Sequence, residues 1–93
     1  MIKTFRHKGL EQFFTTGSKS GIQPHHAAKL NMQLTAMNAA ESPDDLRVPT
    51  SWRLHQLTGD LAGFWSLMVN GNWRVVFRFD ESDIELVDYL DYH

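Results

Sequence analysis

Residues 64–93 read FWSLMVNGNWRVVFRFDESDIELVDYLDYH. Apolar and polar residues alternate here with a period near two, the pattern of strands with one buried face. Asn70-Gly71 interrupts the alternation once, and both residue types tolerate the positive φ of a two-residue hairpin turn. Asp80 to Asp83 interrupts it again. The stretch predicts three antiparallel strands, over residues 64–69, 73–79 and 84–91. The first turn pairs Val69 with Asn72 and Leu67 with Arg74. A four-residue turn at 80–83 pairs Phe79 with Ile84, Arg78 with Glu85 and Arg74 with Tyr89. One face then holds Phe64, Met68, Trp73, Val75, Phe77, Phe79, Ile84, Leu86 and Leu90, nearly all apolar. The other holds Arg74, Val76, Arg78, Glu85, Val87, Tyr89, Asp91 and His93 and reads as open.

Upstream, Trp52 to Leu57 reads as a further strand, and residues 58–63, with Gly59 and Gly63, as a turn. Before it the period becomes helical. Ala27, Leu30, Leu34 and Met37 make one apolar stripe. Pro24 suits the first turn of that helix, where a missing N–H costs nothing. The helix ends near Ala40, ahead of Ser42-Pro43. Leu10, Phe13 and Phe14 mark a shorter helix over residues 8–16, stopped by Gly17. Residues 2–6 read as a short strand or extended arm. The order is strand, two helices, four strands. It predicts an α+β fold, a helical hairpin packed on one face of a mainly antiparallel sheet. Ninety-three residues predict one domain spanning 1–93.

Cysteine is absent, which removes disulfides, thiolate nucleophiles and thiolate metal sites, and fits a reducing cytoplasm. The first residues lack the long apolar run of a signal peptide, and no stretch approaches the roughly 20 apolar residues that cross a bilayer, so no membrane role is expected. Net charge is −2, against a broad nucleic-acid-binding surface. The distribution is uneven. Residues 1–30 carry Lys3, Arg6, Lys8, Lys19 and Lys29 against Glu11. Residues 61–93 carry Arg74 and Arg78 against six carboxylates.

The open face gathers an arginine, an acid, a tyrosine and a histidine near residue 93. Those types suit cleavage of an RNA phosphodiester without metal. A base takes the ribose 2′-OH proton, an acid protonates the departing 5′-oxygen, and Arg neutralises the phosphate bidentately. Blander readings stand beside this one. Arg74 also suits a cross-strand ion pair, and Arg78 pairs with Glu85. His93 stands at a chain end, where fraying is the default. Trp65 and Trp73 read as sheet packing. His25 and His26 point about 100° apart on a helix and read as a solvated helix start rather than a metal site. Lys3, Arg6 and Lys8 read equally as a solvated cluster or an RNA contact.

Taken in order, Arg53-Leu54-His55-Gln56-Leu57-Thr58-Gly59-Asp60, Gly63-Phe64-Trp65-Ser66, Asn72-Trp73-Arg74-Val75 and Asp91-Tyr92-His93 resemble HigB-type toxins of type II toxin–antitoxin systems. Met1-Ile2-Lys3-Thr4-Phe5 and Lys8-Gly9-Leu10 are similar too. The resemblance covers essentially the whole chain. It implies a RelE-like fold and a ribosome-dependent mRNA endonuclease that needs no metal or other cofactor. It implies a helix-turn-helix, HigA-like antitoxin, and operator DNA bound only through the toxin–antitoxin complex. Carried over by position, Arg74 stabilises the phosphate, His93 transfers a proton, Tyr92 stacks or transfers a second one, Asp91 orients its neighbours, and His55 assists as acid or base. Strict alternation puts Tyr92 on the apolar face, so its role requires a twist of the chain. Relatives commonly carry basic residues where this chain has Thr58, Leu61 and Asn70, and their loss weakens contact with ribosomal RNA.

Two other functions fit the same chain. ParE-like toxins share the fold and inhibit gyrase without the terminal catalytic set. An inactive antitoxin-binding module fits the acidic C-terminal third.

Overall fold

Helix α1 (Lys8–Thr16) starts where the His7 ring accepts the Leu10 backbone N–H at 3.0 Å, and it ends at Gly17, whose φ of 81° is left-handed. A single 3₁₀ turn at Pro24–His26 then feeds helix α2 (Ala27–Ala39). The α2 stripe foreseen in the sequence, Ala27, Leu30, Leu34 and Met37, is buried. This computed structural model describes residues 1–92. His93 lies outside them.

Four strands form one antiparallel sheet in chain order: β1 (His55–Gln56), β2 (Phe64–Asn70), β3 (Trp73–Asp80) and β4 (Asp83–Asp91). The N-terminal segment is an arm rather than a full strand. It runs parallel to β4 through two isolated bridges, Ile2 to Ile84 and Phe5 to Val87. The strand expected over Trp52–Leu57 shrinks to two residues. Thr50–Trp52 instead forms a 3₁₀ turn that sinks Trp52 into the core.

The register differs from the expected one because each hairpin carries a bulge. At the first hairpin Asn70 pairs with Trp73, so the loop is Gly71-Asn72, with the positive φ (56°) at Gly71 alone. Met68 pairs with Arg74, which leaves Val69 as an extra residue on β2. The Met68 carbonyl accepts a hydrogen bond from Gln33 Nε2 of α2 at 2.8 Å. Leu67 therefore faces Val75, not Arg74. At the second hairpin Phe79–Ile84 and Arg78–Glu85 pair as expected, but Val76 pairs with Asp88, so β4 has one residue too many. Leu86 holds the bulge with a φ of 57°, and its N–H donates to Thr4 Oγ1 at 2.9 Å.

These bulges exchange the faces of two strands. Leu67, Val69, Val87 and Tyr89 join Val75, Phe77 and Ile84 in the core under the helices, while Phe64, Met68, Leu86 and Leu90 do not. Tyr89, expected on the open face, is 4% exposed. Its hydroxyl lies 2.5 Å from His26 Nδ1, and Trp73 stacks on its ring. His26 is 2% exposed, which overturns the solvated helix start; only His25 is exposed there.

Candidate active site

Arg74 and Tyr92 reach the same side of the sheet because of the Leu86 bulge. Beyond it β4 alternates in opposite phase. Arg74 pairs with Leu90 rather than Tyr89, and Tyr92 follows Leu90 on that face. The Tyr92 N–H donates to the Asn72 carbonyl at 2.8 Å, which fixes Tyr92 against the first hairpin. The twist that the sequence demanded for Tyr92 is thus a bulge six residues earlier.

A cleft of about 510 Å³ opens on this face, lined by Arg53, Leu54, His55, Leu57, Ser66, Arg74 and Tyr92. His55 pairs with Ser66 and Ser66 with Val76. His55 therefore stands two strands from β3 and two residues along from Arg74, or about 10 Å across and 7 Å along the sheet. That gap is of nucleotide size. Arg74 Nη1 donates to the carbonyls of Gly71 (2.7 Å) and Trp73 (3.0 Å), which orients the guanidinium and leaves its other N–H groups for a ligand. Among the described residues no carboxylate forms an ion pair with Arg74. A guanidinium oriented in this way, with no ion-pair carboxylate among the described residues, has the geometry to receive an anion in the cleft.

Of the residues singled out in the sequence, the structure brings Arg74, Tyr92 and His55 together. Asp91 pairs with Trp73, the residue before Arg74, and so follows Tyr89 on the helix side; it is not a wall of the cleft. His93 lies outside the described residues. Lys3, Arg6 and Lys8 are exposed, and none lines the cleft. Arg6 reaches over the open face, where its guanidinium stands 5.3 Å from the Phe64 ring; Arg78 stands 5.7 Å from the same ring and bonds Glu85 at 3.1 Å. Sequence reasoning missed Arg53, Leu54, Leu57 and Ser66. Arg53 was legible as a cation two residues from His55, but its place on the cleft wall depends on the Thr50–Trp52 turn. Among the described residues no group of three His, Asp or Glu gathers to hold a metal ion, and no helix is long and apolar enough to cross a membrane.

A family model described as the RelE-like toxin of the type II toxin–antitoxin system HigB matches residues 3–93. The chain belongs to this HigB-like toxin family. An antitoxin is therefore its partner. The chain is 39% identical over 93 residues to the Endoribonuclease HigB of Proteus vulgaris, covering all of both chains. It is 33% identical to Toxin HigB-1 of Vibrio cholerae serotype O1, covering 100% of this chain and 98% of that one. Its fold matches a YafQ mutant from E. coli with a TM-score of 0.63 at 15% identity, over 96% of this chain and 89% of that one. It also matches the YoeB–YefM complex from Staphylococcus aureus with a TM-score of 0.63 at 21% identity, over 100% and 95%. The RelE-like, α+β expectation holds for this HigB-like toxin.

Proposed function

We propose that the chain is an endoribonuclease that cuts mRNA on the ribosome and is restrained by a helix-turn-helix, HigA-like antitoxin. The observation that carries the reading is the shared cleft of Arg74, His55 and Tyr92, with Arg74 oriented by carbonyls and lacking an ion-pair carboxylate among the described residues. The 39% identical Endoribonuclease HigB supports the activity.

In the proposed reaction the ribose 2′-oxygen attacks the adjoining phosphorus while the bond from phosphorus to the 5′-oxygen breaks. Arg74 holds the phosphate oxygens as charge grows on them. His55 takes the 2′-OH proton. His93 protonates the departing 5′-oxygen, with Tyr92 stacking on a base beside the cut. Asp91 acts on the orientation of the terminal residues from the other face of β4. The products are a 2′,3′-cyclic phosphate and a free 5′-OH, so no metal enters the balance.

The test is induction of the chain with and without its antitoxin, followed by mapping of mRNA ends. Arg74→Ala is expected to lower cleavage about 10²–10³-fold, the usual cost of removing one preorganised donor, with circular dichroism unchanged. A folded Arg74→Ala that cuts as well as the parent ends the assignment. Supercoiling inhibition of gyrase with intact mRNA favours the non-enzymatic alternative.

A further inference from the structure

We propose that Arg53 binds the phosphate next to the scissile one, and that the hollow beyond Arg53 seats the neighbouring nucleotide. The proposal rests on the nuclease reading of the cleft and extends it to a second subsite.

Arg53 lines the main cleft together with Arg74 and also lines a separate hollow of about 280 Å³, shared with Arg47, Thr50 and Leu54. Arg53 and Leu54 are thus the wall common to both spaces. A strand leaving the Arg74 site past this wall enters the hollow. Leu54 offers it an apolar surface for a base, and Thr50 a hydroxyl.

The state of the guanidinium points the same way. Arg6 lies over Phe64, Arg47 bonds Asp44 at 2.5 Å, Arg78 bonds Glu85, and Arg74 bonds two carbonyls. Among the described residues Arg53 alone of the five arginines has no such side-chain partner. It is exposed, and an exposed cation on a cleft wall is available to an anion.

Its backbone adds an independent observation. Arg53 has φ 51° and ψ 56°, the left-handed region that a long side chain seldom occupies. Glycine or asparagine fits there with less strain. The conformation is imposed by the turn before it, where the Arg53 N–H donates to the Thr50 carbonyl at 3.0 Å and Trp52 is buried at 5% exposure. A costly residue held rigidly at a ligand-facing position is the pattern of strain kept for function.

The test is single-turnover cleavage of ribosome-bound mRNA by full-length toxin variants. Arg53→Gly is expected to raise the half-saturating toxin concentration at least tenfold, with the maximal rate changed less than threefold, the signature of lost uniform binding. Arg53→Lys recovers most of that loss. The thermal midpoint of Arg53→Gly is equal to or above that of the parent, which separates binding from folding. An mRNA with a neutral methylphosphonate at the linkage on one side of the cut, each side in turn, costs the parent about as much as Arg53→Gly does, and costs Arg53→Gly little more. If Arg53→Gly matches the parent while Arg74→Ala is impaired, the Arg53 proposal is overturned and the nuclease reading stands. If the Arg53→Gly loss persists undiminished on both neutral linkages, Arg53 serves another contact and the proposal also fails. A parent protein that cuts no mRNA overturns both.

Discussion

His26 is an ionisable ring held where charge is costly. Burial, and secondarily the nearby His25 and Lys29, hold its pKa below the ordinary 6.5. Its Nδ1 meets the Tyr89 hydroxyl, while its Nε2 is buried without a partner among the described residues. As pH falls, the unfolded chain takes up the proton first. The stability contributed by the neutral ring is complete above about pH 6.5 and is lost as pH falls toward the lower folded value. The urea midpoint of the parent should therefore drop between pH 7 and 5 by more than that of His26→Gln, which keeps an acceptor for Tyr89 and does not titrate. Parallel curves for the two proteins sink this account. A second site is purely one of space. A methyl group on Gly9 lies 2.5 Å from the Gly21 carbonyl oxygen, and one on Gly21 lies 2.4 Å from the Gly9 Cα. Both obstacles are backbone and cannot rotate away. Gly9→Ala should lose about 1–3 kcal/mol, the usual cost of overpacking, by urea unfolding; a variant as stable as the parent shows that the two segments do not touch this closely. The His26 environment was not legible in the sequence, since nothing about a His-His pair after a proline shows that the second ring turns under the sheet.

The helices and the two hairpins were legible because each rests on a local signal: the stripe from Ala27 to Met37, Gly17, and the polar turns. The bulges were not. Val69 and Leu86 are ordinary strand residues, and alternation read without a bulge assigns every residue beyond it to the wrong face. That is why Tyr89 and Tyr92 exchanged places between expectation and structure, and why Arg74 faces Leu90. Arg74 was legible from the alternation as well as from the family resemblance, and His55 from the resemblance alone, but their convergence with Tyr92 is a product of the Leu86 bulge. Leu86 carries this burden in an unfavourable backbone conformation, at φ 57°. Leu86→Gly relieves that strain but gives up a half-buried side chain, so the two effects largely offset, and its stability should stay within about 1 kcal/mol of the parent. Leu86→Val, branched at Cβ, meets the same φ with more crowding and should be the less stable of the two by at least about 1 kcal/mol. Urea unfolding ranks them. If the valine variant is the more stable, the bulge is not held at this residue.

Across the whole molecule, charge is sorted by position rather than spread as one basic surface. The chain carries a net −2, with its acids concentrated in β4 and the turn before it and its early cations along the arm and α1. Arm and cleft nevertheless meet on one side. Arg6 crosses the open face to lie over Phe64, near the Arg78 end of β3, while Arg74 marks the other end. Among the described residues the cleft is lined by two arginines, Arg53 and Arg74. Single-stranded RNA held by the cleft alone involves about two phosphates and a slope near −1.4 in log affinity against log salt. Recruitment of Lys3, Arg6 and Lys8 raises the count to about five and the slope to near −3.5. Replacing these three by Gln tests which regime applies, with apparent affinity measured as half-saturation on ribosome-bound mRNA across a salt series. The arm is expected to contribute, because Arg6 already projects onto the face that the strand follows. The triple variant should therefore bind more weakly at low salt and lose about two units of slope, with the maximal cleavage rate kept, since none of the three lines the cleft. An unchanged slope assigns the arm's charges to solvent and confines RNA recognition to the cleft.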